Sequence, residues 1–308
     1  MFMVMVYIIL YLMVMFSIAF VTLCERKILG YMQVRTGPNK ILIIGLFQPL
    51  SDGLKLFIKE NGCHFMMNKM FFISFPFFMF FLMFCYWMIF KFMFLDIWLY
   101  EIMGFILLSG LGVYGILGLG KNSNSMYSIL GSYRGTVQTV SYEVGLVFVL
   151  LSMFMNTKSY MMSQMYNFQF NSLTLLMGYW SMWLIWMIIM LAELNRAPFD
   201  LIEGESELVS GFNVEYGAAS FALIFLAEYG NIIFISYISM MVFSYKISMI
   251  NVMMYMVIIL WVRGVFPRMR YDNLMYLVWK WILPFILVIF MMLFNVKVIF
   301  WKDDRMSW

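Results

Sequence analysis

S-L-T-L-L-M-G-Y-W-S-M-W-L-I-W-M-I-I-M-L-A (172–192), E-L-N-R-A-P-F-D-L-I-E-G-E-S-E-L-V-S-G-F-N-V-E-Y (193–216) and A-A-S-F-A-L-I-F-L-A-E-Y-G-N-I-I-F-I-S-Y-I-S-M (218–240) follow one another in this chain. Two apolar runs of membrane-spanning length enclose a segment with six carboxylates (Glu193, Asp200, Glu203, Glu205, Glu207 and Glu215) and one base, Arg196. The whole chain has only 16 acids in 308 residues and is 64% hydrophobic. So many carboxylates between two spans cost solvation energy unless they are wet, paired or protonated. This segment is therefore where function is to be sought.

Working outward, 12% charged residues and a mean hydropathy of +0.89 exclude an ordinary soluble domain, in which about 25% of residues are charged. A hydrocarbon core of about 30 Å is crossed by about 20 apolar residues in a helix. Eight such runs are present, at roughly 2–23, 70–90, 97–119, 136–155, 172–192, 218–240, 247–262 and 276–301, the seventh being short. The expectation is an all-α polytopic membrane protein with about eight spans. The connections are too brief for a separate soluble unit, so residues 1–308 are expected to form a single integral membrane domain.

With eight spans both termini lie on one side. The other side receives residues 24–69, 120–135, 193–217 and 263–280, which hold 14 of the 20 Lys and Arg. By the positive-inside rule that side is cytoplasmic, or matrix in a mitochondrion. The first apolar run lacks a basic leader and runs into Glu25-Arg26-Lys27, so it reads as a retained span and not a cleaved signal. No Arg-rich presequence precedes it, and 35 Met with abundant Phe, Ile and Tyr suit an AT-rich organellar genome.

Two connections are unusual. Within 24–69, Phe47, Leu50, Leu54, Phe57 and Ile58 recur at helical spacing, with Asp52, Lys55, Lys59 and Glu60 largely on the other face. That pattern predicts an amphipathic helix at the membrane surface, with a plain interfacial anchor as the bland alternative. In the acidic segment, Pro198 and Gly204 argue against one continuous helix. Phe199, Leu201, Ile202, Leu208, Val209 and Phe212 are interleaved with the acids, which favours packing over a freely solvated loop.

Three acids are expected at stepped depth: Glu193 at the inner interface, Glu143 about 10 Å into the fourth span and Glu228 about 15 Å into the sixth. Each buried charge costs roughly 2.5–3.5 kcal/mol on insertion scales. Either a proton relay or structural pairing, such as Glu193 with Arg196, accounts for them. Glu101 and Asp96 are expected at the outer interface. Cys24, Cys63 and Cys85 cannot supply the four thiolates of an iron–sulfur cluster, and with His64 alone no transition-metal site is assembled. Gly110, Gly112 and Gly115 fit G-x-G-x-x-G but lie inside an apolar run with no βαβ context, so nucleotide binding is not expected; Gly112, Gly115 and Gly118, at spacing three, predict close approach of a neighbouring helix. Basic runs flank the spans, and no nucleic-acid partner is expected.

The motifs carry a resemblance. E-R-K-I-L-G-Y-M-Q-V-R-T-G-P-N-K (25–40), S-Y-E-V (141–144), A-E-L-N-R-A-P-F-D-L-I-E-G-E-S-E-L-V-S-G-F-N-V-E-Y (192–216) and W-V-R-G-V-F-P-R-M-R-Y-D (261–272) resemble, in order and over essentially the full chain, the subunit 1 family of NADH:ubiquinone oxidoreductase, respiratory complex I. The similarity is to the mitochondrially encoded members, with an invertebrate source expected. Thr36, Leu194, Ala197 and Leu201 fall where that family is expected to vary.

The resemblance implies an inner-membrane, multi-pass subunit with both termini on the intermembrane-space side. It implies contact with the hydrophilic arm, with the proton-pumping membrane subunits and with lipids. Ubiquinone is the implied substrate, entering a tunnel partly walled by this chain. FMN and the iron–sulfur clusters belong to partner subunits, and this chain alone binds no cofactor or metal and has no catalytic residue. Arg26, Gln33, Arg35 and Asp52 match positions associated with quinone entry. Glu143, Glu193, Asp200, Glu203, Glu205, Glu207, Glu215 and Glu228 match an acidic path joining the quinone cavity to the pumps, with Arg134, Arg196 and Arg263 as charge partners. The rival readings are a proton-coupled secondary transporter and a structural anchor for a peripheral oxidoreductase. A transporter would show inverted repeats and paired broken helices, for which the sequence gives no sign.

Overall fold

The computed structural model describes residues 2–41, 44–60, 62, 67–89, 100–157, 159–162, 164–165, 179–202, 204, 211–244 and 248–306. All regular structure among them is helical. The helices are α1 (Phe2–Met32), α2 (Gln48–Ile58), α3 (Lys69–Ile89), α4 (Glu101–Ser123), α5 (Met126–Thr157), α6 (Trp180–Glu193), α7 (Ala218–Phe243), α8 (Met249–Val265), α9 (Tyr271–Leu277) and α10 (Leu283–Met306). Six apolar helical stretches are long enough to cross a membrane; α6 and α8 are shorter. Each of the eight apolar runs contains a helix among the described residues, and α2 is the amphipathic one. None of its residues is buried, and Leu50, Leu54, Phe57 and Ile58 are exposed along it.

Helix α9 passes into α10 through a π-helical turn, Val278–Ile282. Pro284, one residue into α10, has no N–H to return to the carbonyl four residues back, and its ring crowds that carbonyl. The widened turn removes the conflict: the Leu283 N–H donates instead to Val278, five residues back.

Two expectations need correction. Residues 24–32 do not begin a loop: α1 runs 31 residues, about 46 Å, so Glu25, Arg26 and Lys27 sit on its last turns. Hydropathy marks only the apolar part, whereas Glu, Arg, Lys and Leu are good helix formers and carry the helix onward. Similarly, α5 begins at Met126 and not near 136, because Ser128, Gly131, Ser132, Gly135 and Thr136 are buried against neighbours despite their polarity. Glu101 begins α4, is 1% exposed, and its Oε2 accepts the Met162 N–H at 2.8 Å. Asp96, Cys63 and His64 lie outside the described residues.

The glycines of α4 do what close helix approach requires. A Cβ on Gly115 would fall 2.0 Å from Met79 Sδ, and one on Gly118 would fall 2.0 Å from the Phe75 ring, so α3 lies directly on this stripe. On the other side Gly120 meets Ser132 of α5. A large shared core results, with Tyr142, Trp186, Phe105 and Phe234 almost fully buried. Trp186 Nε1 donates to Ser239 Oγ at 3.0 Å, joining α6 to α7.

Gly118→Val should destabilise the protein by about 1–3 kcal/mol, the usual cost of overpacking, since a rigid ring occupies the space. Gly112→Ala should be tolerated, because only the Tyr86 hydroxyl, at 3.9 Å, lies near its Cβ position. Thermal melting of the two variants side by side checks the contrast.

Candidate functional site

Helix α6 has 14 residues and is about 21 Å long, short of a hydrocarbon core of about 30 Å. It ends at Glu193, and residues 194–202 continue as turns. Irregular backbone at this depth survives only when other parts of the protein supply its hydrogen bonds. Gln138, fully buried on α5, does so. Its Nε2 donates to the Ala192 carbonyl at 3.0 Å and the Phe199 carbonyl at 2.9 Å. The turn also bonds internally, Arg196 N–H to Leu191 and Phe199 N–H to Arg196. From the linker after α8, Met269 N–H reaches Pro198 at 2.9 Å and Arg268 Nη2 reaches Asp200 Oδ2 at 3.1 Å. Phe199, Leu201, Ile202 and Phe212 are buried, so the described part of the acidic segment is packed, as its interleaved apolar residues require.

At the centre of the turn sits Arg196, 7% exposed. Its Nη2 lies 3.5 Å from Glu228 Oε2 on α7 and its Nη1 lies 3.9 Å from Glu25 Oε1 on α1. Its guanidinium carbon stands 4.8 Å from the centre of the Tyr229 ring. Glu25 is also paired with Arg263 of α8. Four elements are thus tied at one buried ionic cluster. The expected pairing of Glu193 with Arg196 does not occur. The turn after α6 carries Arg196 toward α7 and α1, and its ion pairs are made there.

Glu193 faces a cavity of about 80 Å³. That is room for a handful of waters and far below the 300 Å³ at which ligand pockets begin. Glu193, Arg196, Glu228, Ser109, Asn231 and Thr139 supply most of its polar wall. Oε2 of Glu193 and the side-chain oxygens of Asn195 and Asn231 are buried without a protein hydrogen-bond partner. Three acceptors aimed at one small space are what bridging waters satisfy. Glu143, at the middle of the 32-residue α5, accepts from Ser109 Oγ at 3.4 Å. Its Oε1 approaches to 3.1 Å of the Cβ position of Gly110, so this glycine admits a carboxylate and not a helix. Glu143 and Glu193 act on each other electrostatically, and both act on Tyr86.

Glu193 is the last residue of α6, where the apolar run also ends. Glu143 lies halfway along α5, which starts ten residues before the apolar run. Glu228 lies in the cavity wall as a paired acid. Asp200 is drawn off to Arg268. Glu215 is half-buried on the turn before α7, beside Tyr216, whose hydroxyl donates to the Leu119 carbonyl at 3.0 Å and whose ring stacks on Phe72 at 4.2 Å. Burial raises the Tyr216 phenol above its ordinary value, which keeps it a donor. Arg134 is half-buried on α5. Glu203, Glu205 and Glu207 lie outside the described residues.

The other expected group is brought together in part. Arg26 Nη1 meets Asp52 Oδ2 at 2.6 Å, tying the end of α1 to α2, and Gln48 Nε2 reaches the other oxygen of Asp52 at 3.1 Å. Gln33 and Arg35 are exposed on the turn that folds back on α1, where Gly37 lies against Arg26 and Lys27. Sequence reasoning missed Glu25, Gln138, Ser109, Asn231 and Arg268. A signal existed for Gln138 and Asn231, since an amide in an apolar run is expensive unless it has partners. Glu25 was visible inside the first motif.

The family model described as NADH dehydrogenase matches residues 5–294. The chain is 48% identical over 281 residues to NADH-ubiquinone oxidoreductase chain 1 of Rhipicephalus sanguineus, covering 90% of each. It is 42% identical over 299 residues to the protein of that name in Aedes aegypti, covering 92% of this chain and 93% of the relative. With that of Salmo salar it shares 44% identity over 290 residues, covering 90% and 89%.

Arg196→Met should destabilise the protein, since it removes a buried cation from between Glu25 and Glu228. Glu25 keeps Arg263, so Glu228→Gln added to Arg196→Met should restore part of the loss. Thermal melting through the double-mutant cycle checks this; strictly additive losses would show that the pair is not coupled.

Proposed function

The chain belongs to the NADH dehydrogenase family of membrane subunits, and from that membership we propose that it serves ubiquinone reduction and its coupling to proton movement within an NADH–ubiquinone oxidoreductase. In this reading FMN and the iron–sulfur clusters sit in partner subunits of the hydrophilic arm, and further membrane subunits do the pumping. The chain lies in the mitochondrial inner membrane with both termini toward the intermembrane space, a reading supported by 14 of 20 bases falling on the opposite side.

A quinone has a long apolar tail and a small polar head. The α1–α2 corner suits both: exposed apolar side chains along α2 face the tail, and Arg26, Gln33, Arg35 and Asp52 stand where the head would pass. The cavity beside Glu193 is too small for the quinone itself, and its water-sized volume and acceptor-rich wall suit protons. Quinone reduction consumes two protons, so charge changes near Arg26 and Asp52 act first on their neighbour in sequence, Glu25. Through Arg196, which reaches both Glu25 and Glu228, the disturbance arrives at the cavity wall within two ion pairs. The observation that carries this reading is that single shared guanidinium.

A broken helix within the membrane also suits a transporter. Here the break at Leu194 has no counterpart among the described residues, since the π turn of α9–α10 keeps its helix continuous.

Arg26→Ala should impair reduction of long-tailed quinone several-fold while leaving NADH oxidation by an artificial acceptor intact in the assembled enzyme. Equal loss of both activities would count against the entry assignment. Glu193→Gln keeps size and hydrogen bonding but removes the proton, so quinone-linked turnover and pumping should fall together. Full pumping by that variant would remove the cavity from the path.

A further inference from the structure

Call the side bearing the acidic segment the acidic face. The cavity then has a far end, made where α3 finishes, α4 begins and the distal half of α7 passes. Three rings meet there. Tyr86 and Phe234 are 4.9 Å apart between centroids, Tyr86 and Phe105 6.0 Å, and Phe105 and Phe234 5.8 Å. All three line the cavity and none is more than 7% exposed. Behind them Trp87 stands edge-on to Phe234 at 5.7 Å and lies 6.3 Å from Tyr237. Beyond that layer, buried Glu101 holds residues around Met162 across the helix ends through the 2.8 Å bond to its N–H.

We propose that Tyr86, Phe105 and Phe234 form an aromatic seal that closes the cavity toward the face opposite the acidic segment, so that protons reach Glu193 and Glu143 without a path straight across this subunit. This rests on reading the cavity as a protonable compartment. Protons move along hydrogen-bonded groups; Phe105 and Phe234 offer none, and the Tyr86 hydroxyl stands on the cavity side, 3.9 Å from the Cβ position of cavity-lining Gly112, so a water threaded between the rings would lose its partners at the cost of an unmet hydrogen bond. Aromatic packing at these separations is also mutually favourable, so the triangle resists opening. Polar Ser109 sits on the cavity side of the rings, one helical turn beyond Phe105 on α4. A seal is what a coupled pump needs at this depth, because an open channel here would dissipate the gradient that turnover creates.

The test is the passive proton leak of the assembled enzyme in sealed vesicles, at rest, under an imposed pH gradient. Phe234→Ala should speed decay of the gradient several-fold while quinone reduction continues. Phe234→Leu, which refills most of the volume with an apolar side chain, should bring the leak back toward the unmutated rate. Phe105→Ala, on a different helix, should leak as Phe234→Ala does and replaces it if that variant does not assemble. The unmutated enzyme gives a readout free of assembly defects: its resting vesicles should hold the gradient as protein-free vesicles do, and a leak stopped by Glu193→Gln would overturn the seal. Tight vesicles with an assembled Phe→Ala variant would overturn it as well. Glu193→Gln run in parallel separates the two claims. If that variant loses pumping while Phe→Ala vesicles stay tight, the seal alone fails; if it pumps fully, the cavity reading fails.

Discussion

A chain that leaves helical geometry at membrane depth must find its backbone hydrogen bonds inside the protein. Much of this site follows from how that constraint is met after Glu193. Two carbonyls of the turn are taken by one amide, Gln138, and the linker after α8 takes a third. Because the turn is held from outside, it can carry Arg196 into the interior and leave Glu193 at the end of a truncated helix. Without that fixed turn, neither the ionic cluster nor the polar cavity has a reason to exist where it does.

Arg196 resolves the electrostatic problem the acids create. A lone guanidinium or carboxylate at this depth would carry several kcal/mol of desolvation cost. Here one cation is shared between Glu25 and Glu228, with the Tyr229 ring beneath it. Neither contact is short, at 3.9 and 3.5 Å, and Glu25 is held more closely by Arg263. A cation with two distant anionic partners responds to the charge of either one, whereas a tight bidentate pair would be locked. Glu193, by contrast, faces the cavity with its Oε2 buried and without a protein hydrogen-bond partner, and Glu143 accepts from Ser109.

Much of the architecture was legible in the sequence, because hydropathy reports which stretches prefer an apolar surround, and each of the eight apolar runs holds a helix among its described residues. Helix ends were less legible. Helix α1 persists through Glu25-Arg26-Lys27 because charged residues are good helix formers, and α5 starts early because small polar residues such as Ser128 and Ser132 are buried by close packing with α4. Those shifts moved Glu143 to mid-helix. The end of α6 was legible, since W-S-M-W-L-I-W-M-I-I-M-L-A runs uninterrupted to Glu193, whereas its start at Trp180, eight residues into the expected run, was not. Partners were hidden too. That Arg196 reaches Glu228 and Glu25 and not nearby Glu193 depends on the path of the turn, which spacing alone does not give. Of the glycines read as a helix contact, Gly115 and Gly118 lie against α3, while Gly112 has only the Tyr86 hydroxyl near it; Gly110, outside that stripe, makes room for Glu143.

The central claim is that Glu193 and Glu143 change protonation when quinone is reduced. Infrared difference spectra of the assembled enzyme, recorded on quinone reduction in H2O and D2O, report this directly through the carbonyl stretch of a protonated carboxylic acid. The account predicts a deuterium-sensitive band in that region that disappears in Glu193→Gln and shifts in Glu143→Gln. A spectrum in which neither substitution alters any carboxylic band would contradict it.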